Sequence, residues 1–284
     1  MLSSAKRVFL SLTLAAAAAT ATSGCKKSSA VSAEKASEHA AFLAKAVETD
    51  LQEVRTGMPA GAGLLQAYFD AGEFQDAAAA LEQLEKTRAK VQDLRVAKST
   101  FFALVDGKGT VIRSDQEHDA LAGKSLSQAF PEISRALAGQ FVETRGAMDE
   151  ASGVRGRKDA QWLAAQPVGA AGAVKGLYVT GWSFSAYAYR LENQLRSQIR
   201  SSLDPDGKEP LVYVFVVVDG KAFGAPITPE VNAQAVERQA FIKTEAKTPA
   251  KIELEITGRE FGAAFVSTPG LGKGTGVAVL RSET

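Results

Sequence analysis

"FALVDGKGTVIRSD", residues 102–115, is the stretch from which the fold can be read. A strand-favouring run ends at Asp106-Gly107-Lys108-Gly109, and a second run, Thr110 to Ile112, leads into Arg113-Ser114-Asp115. Two such runs around a Gly-containing turn predict a β-hairpin. The pattern returns in "LVYVFVVVDGKAFGAP", residues 211–226, with Asp219-Gly220-Lys221 in the place of Asp106-Gly107-Lys108. Further on, "FGAAFVSTP" (261–269) echoes "WLAAQPV" (162–168), and "GTGVAVLRSE" (274–283) echoes "GLYVTGWSF" (176–184). An internal repeat of this length marks two related units in one chain.

The segments between these strands complete both units. Residues 119–140 predict turns and short helices ending at Gly139, 141–148 a strand, and 149–159 a polar loop. Two strands joined by a small-residue turn follow, and then a helix from Ala186 to Ser201. The second unit is shorter. It has a helix in "TPEVNAQAVERQ" (228–239), with Thr228 as N-cap and Pro229 in the first turn. Two alternating strands turn at Gly258, and a closing strand ends the unit. The fold class is α+β: an N-terminal helical segment, then two antiparallel-sheet units with covering helices.

Ahead of the repeat, Leu43, Val47, Leu51 and Val54 recur at helical spacing within 35–56. "GMPAGAG", residues 57–63, predicts a break. A second helical stretch runs from 64 to 98 with an interruption near Gly72 and apolar positions at Ala77, Leu81, Leu84, Val91 and Leu94. That stripe suits packing on its own domain or pairing with a second copy as a homodimer.

The first 24 residues read as a leader. Lys6-Arg7 precedes an apolar stretch, Val8 to Ala19, and then small residues, too short to remain as a membrane span. "TSGC", ending at Cys25, resembles the lipobox of bacterial lipoproteins, with Thr22 where that family usually has Leu. Cys25 is the sole cysteine, so no internal disulfide forms. The resemblance implies cleavage before Cys25 and acylation there, with several chains giving a stable membrane anchor. Lys26 in the next position leans toward the outer membrane, with the protein facing the periplasm. Residues 25–37 are polar and small and read as a tether, with the helical segment at 38–98. The two units occupy 99–203 and 209–284.

Composition excludes several classes. Of the 33 basic residues, 31 remain after loss of the leader, against 32 acidic ones, so nothing marks a nucleic-acid binder. Only His39 and His118 are available to a catalytic set, and neither has local support, so no enzyme is expected. "SDQEHD" (114–119) offers adjacent acidic residues that do not converge as a metal site must. "GLGKGTG" (270–276) lacks phosphate-loop spacing and reads as a hairpin turn. No cofactor is expected.

Residues 100–185 resemble a Cache domain, the extracytoplasmic relative of the PAS fold. The resemblance rests on the hairpin at 105–115, "LAGKSL" at 121–126, "ALAGQ" at 136–140, and "AAQPV" followed by "GAVKGLYVTGW". With the weaker second copy, the chain resembles a double Cache module. The resemblance implies a small-molecule sensor whose ligand sits between the sheet and its covering loops, with output through a protein partner. The candidate pocket residues are Phe102, Leu104, Arg113, Ser114, Phe130, Arg145, Trp162, Ala164 and Tyr178. Arg113 and Arg145 are the candidate carboxylate anchors, because a guanidinium presents a planar bidentate fork. The Arg-x-Trp-Tyr motif of amino-acid-binding Cache proteins is absent, and Gln161-Trp162-Leu163 is the nearest stretch. The alternative is a non-catalytic envelope scaffold that uses the same fold for protein contact.

Overall fold

The computed structural model describes residues 18–72, 76–149, 158–170, 172–245 and 247–283. Most of the leader, the Cys25 side chain and most of the polar loop at 149–159 lie outside that description.

The N-terminal segment is one helix, α1 (Ala18–Ala71), where the sequence predicts a break at 57–63. Pro59 lies inside it. An interior proline costs about 3 kcal/mol through its missing donor and ring clash. The stripe of Leu43, Val47, Leu51, Val54, Met58 and Leu65 is fully buried, and each such side chain contributes about 1.5–3 kcal/mol. Burial therefore outweighs the proline. Gly57 and Gly61 of the predicted breaker serve close packing instead. A Cβ on Gly61 would lie 2.6 Å from the Tyr178 ring and 2.8 Å from Leu94. The chain breaks at Gly72, where φ is +70° and side-chain-bearing residues are strained. After it come α2 (Ala77–Lys90), capped by Asp76 on the amides of Ala78 and Ala79, and α3 (Gln92–Val96).

The predicted tether also differs. Ser29, Ser32, Ala33 and Ala36 are buried within α1 against the second unit. The Ser29 hydroxyl donates to Glu253, and Lys251 pairs with Glu34. Gly262 has no room for a side chain, since a Cβ there would meet the Ala33 backbone at 1.9 Å. Small residues that look like linker composition are here the contact surface of a helix laid on a sheet.

The first sheet comprises β1 (Phe101–Asp106), β2 (Val111–Ser114), β3 (Val142–Asp149), β4 (Lys158–Ala170) and β5 (Ala173–Ser183), in the order β2-β1-β5-β4-β3. The second comprises β6 (Leu211–Val218), β7 (Lys221–Gly224), β8 (Ala250–Ile256), β9 (Arg259–Ser267) and β10 (Thr275–Ser282), in the order β7-β6-β10-β9-β8. All pairings are antiparallel, and the strand order is the same in both, as the sequence repeat predicts. The closing strand is central in each sheet.

Helix α1 and helix α6 (Phe184–Ser202) line one face of both sheets and join them into one core with Phe102, Trp162, Val214 and Val279. The opposite face of the first sheet is covered by α4 (Leu126–Ala129) and α5 (Ile133–Leu137) over Phe101, Ala103 and Val105. The opposite face of the second is covered by α7 (Glu230–Glu237) and a short 3-10 turn, Ala240–Lys243. Thr228 does not cap α7. Pro229 occupies that position, and the Thr228 hydroxyl oxygen is buried with no hydrogen-bond partner. No helix among the described residues is long and apolar enough to cross a membrane.

Candidate functional site

Strand alternation divides the nine candidate residues between two faces. Phe102 and Leu104 of β1, Trp162 and Ala164 of β4, and Tyr178 of β5 all lie in the core beneath α1. The Phe102 and Tyr178 rings stack at 5.8 Å, and Trp162 packs on Trp182 at 4.5 Å. Four of these five are core residues rather than pocket walls, and Trp162 alone also reaches a cavity. Phe130 lies on the other face, closing the covered side with Phe101, Ala103, Leu163 and Val179. A period of two fixes which residues share a face, but not which face a long helix will occupy.

Arg113 and Ser114 are engaged by one carboxylate. Arg113 pairs with Asp119 at 2.7 Å, and their side chains are 14% and 8% exposed. Asp119 also accepts the Ser114 amide at 2.9 Å and its hydroxyl at 2.6 Å. Burial alone would raise the Asp119 pKa. The Ser114 hydrogen bonds and the Arg113 guanidinium more than offset it, holding the carboxyl below its ordinary range. Asp115 nearby accepts the Phe102 amide at 2.8 Å, and Arg88 at 3.3 Å. Burial leaves its pKa raised. The acidic stretch 114–119 thus organises a corner, and no group of three metal-ligating side chains occurs among the described residues.

Arg145 is different. It projects from β3 on the same face as Trp162, its cross-strand partner. There it enters a cavity of about 550 Å³ where the two units meet, with Arg55, Glu143, Trp162, Asp219 and Gly272 among its walls. Arg145 approaches Asp219 at 3.5 Å, a charge contact without hydrogen-bond geometry, and its Nη1 is buried with no hydrogen-bond partner. A buried donor left unmade costs about 1–3 kcal/mol, more when charged. The backbone at Gly272, with φ +112°, passes against the guanidinium, and a Cβ there would sit 3.4 Å from Arg145 Nε.

The second arginine in this cavity is fully occupied. Arg55 of α1 grips Glu143 with two hydrogen bonds of 2.6 and 2.7 Å and donates to the Gly270 carbonyl at 2.9 Å. It therefore ties the helix to both units. The hydrogen bond to Glu143 raises the Arg55 pKa further. Glu132 accepts the Thr144 hydroxyl at 2.8 Å, which lowers its pKa. Nothing in the sequence marks Arg55, a polar position in a helical stretch. Asp219 and the 270–276 loop were legible only as turn residues. The extra glycines of that loop allow the close approach to Arg145.

No protein-family model matches the sequence, and no curated relative is found. Solved structures do match in fold. A domain of a protein assigned to the sensory box/GGDEF family of Vibrio parahaemolyticus has a TM-score of 0.55 at 10% identity, covering 90% of this chain and 98% of that one. The ligand-binding domain of Mlp24, solved with asparagine, has a TM-score of 0.52 at 16% identity over 92% and 94% of the two chains. An extracellular ligand-binding receptor from Desulfohalobium retbaense matches at a TM-score of 0.48 and 14% identity, over 86% of this chain and 39% of its own. The chain shares the α+β fold of these domains, which is the fold that the resemblance to a Cache module implies. Two of these three are described as ligand-binding.

Proposed function

We propose that this protein is an extracytoplasmic sensor, held to the membrane by a lipid on Cys25, that binds a small carboxylate and reports through a protein partner. The observation that carries this reading is Arg145: a charged, half-buried side chain at a cavity, whose buried Nη1 makes no hydrogen bond and has only the 3.5 Å charge contact to Asp219. A carboxylate is the natural occupant, since it accepts two parallel N–H bonds from one guanidinium. The fold neighbour described as the ligand-binding domain of Mlp24 supports a sensing role. A ligand at Arg145 would touch both units, because Asp219 and Gly272 belong to the second and Trp162 to the first. Its binding would therefore change how the units meet, and α1, tied to both by Arg55, would carry the change toward the anchor. Pairing of two copies through the N-terminal helices would give that helix a partner to move against.

The rival reading, a ligand-free envelope scaffold, is favoured by the solid apolar filling beneath the first cover, where Phe101, Phe130, Leu163 and Val179 are buried together. A thermal-shift screen of the mature chain against small carboxylates separates the two. A ligand at a hundredfold excess over its Kd stabilises by about 2.7 kcal/mol, a shift of roughly 5–10 °C for a chain of this size. A concentration-dependent shift that Arg145→Ala abolishes supports sensing. A flat response from a cooperatively melting protein supports the scaffold.

A further inference from the structure

A second cavity, of about 480 Å³, lies between the start of β4, β7, α7 and the start of α6. Its walls include Ser185, Phe223, Thr228, Glu230, Gln234 and Glu237. The three α7 residues are spaced at i, i+4 and i+7, which places them on one face of the helix. Glu237 uses one carboxylate oxygen on the Ala222 amide at 2.9 Å, and Glu230 one on the Gln234 side chain at 3.0 Å. Each has a second oxygen. The Thr228 hydroxyl oxygen is buried without a partner, and Ser185 is 8% exposed.

We propose that this cavity binds a neutral polyhydroxylated molecule, a sugar or cyclitol. A hydroxyl both donates and accepts, so vicinal hydroxyls need a mixed set of planar acceptors and small donors. Carboxylates, an amide and two protein hydroxyls are that set. The half-buried Phe223 ring supplies an apolar wall for the C–H face of such a ligand. Charge argues against an anion, because Asp159, Glu230 and Glu237 line the cavity against Lys158 as its one cation among the described residues. The site is separate from the Arg145 cavity, with no wall residue in common.

The test is isothermal titration of the mature chain with glucose and with myo-inositol, and with spermidine as a cationic control. Saturable binding of either polyol is expected. Thr228→Val, which removes a hydroxyl that no protein group answers and keeps the side-chain shape, should weaken it about five- to tenfold. Gln234→Ala should weaken it similarly, while Arg145→Ala leaves it unchanged. That last arm separates failure here from failure of the carboxylate site. No saturable heat with either polyol, binding indifferent to both cavity variants, or binding of spermidine alone would each overturn the proposal, since a cation needs only the acidic charge.

Discussion

Two arginines of the same unit, Arg113 in β2 and Arg145 in β3, meet opposite fates. At the first corner an acidic loop folds back, and Asp119 takes up the guanidinium together with both Ser114 donors. At the unit junction, the acid in charge contact with Arg145 among the described residues is Asp219. It belongs to the other unit, is 69% exposed, and stands 3.5 Å away. The chemistry of the side chain is identical, and what differs is whether its own unit supplies the answering carboxylate. A satisfied arginine is part of the structure. An unsatisfied one at a cavity is available to something else.

The largest expected effect tests the first half of this contrast. Asp119→Ala leaves the Arg113 guanidinium uncompensated and strips Ser114 of its acceptor, a loss of about 3 kcal/mol for a buried pair broken on one side. The melting temperature should fall by roughly 6–12 °C. A fall of under about 2 °C would mean the corner is not held by that pair. Arg145→Ala should leave the melting temperature of the free protein within about 2 °C while erasing the carboxylate shift. If it instead unfolds the protein, Arg145 is structural and the contrast collapses.

Acid titration gives a smaller, signed effect. Asp119 has a depressed pKa in the folded state, so its contribution is present above the unfolded value of about 3.9 and is lost as pH falls through the lower folded value. Asp115 has a raised pKa, so ionisation costs stability at neutral pH, and that cost is relieved as pH falls through its folded value. Melting curves between about pH 5 and 3 should therefore steepen in the wild type relative to Asp119→Asn. An unchanged acid limb would remove Asp119 as its cause. The smallest effect belongs to Asp219→Asn. An exposed charge contact is worth little, so stability should move by less than about 0.5 kcal/mol, whereas carboxylate affinity should rise a few-fold as a competing negative charge leaves. A fall in affinity would indicate that Asp219 holds Arg145 in place for the ligand.

Much of the architecture was legible in the sequence. The Asp-Gly-Lys echo announced two units, and both sheets carry the same strand order. Yet the echoed letters form different turns. Asp219 and Gly220 are both at positive φ in a two-residue turn between Val218 and Lys221. Asp106 instead draws in the amides of Lys108 and Thr110 with its carboxylate. Local propensity at 57–63 predicts a break, while the packing of Gly57 and Gly61 answers Leu94 and Tyr178, distant in sequence. Arg145 could be picked by type and strand position. Its isolation could not, because the residues it meets, Asp219 and Gly272, belong to two turns of the other unit.

The docking of α1 on the second sheet from Ser29 onward sets the reach of the whole molecule. With a lipid on Cys25, only one helical turn separates membrane from rigid body, so this is a stub and not a leash. In that arrangement the second unit would stand at the bilayer. The far end of α1, where Phe69 packs beside Gly176, lies 40 residues up a helix from Ser29, a height of about 60 Å at 1.5 Å per residue. If the protein is anchored so, a partner that reads the first unit would have to rise to that height from the same membrane or reach down to it from the opposite one.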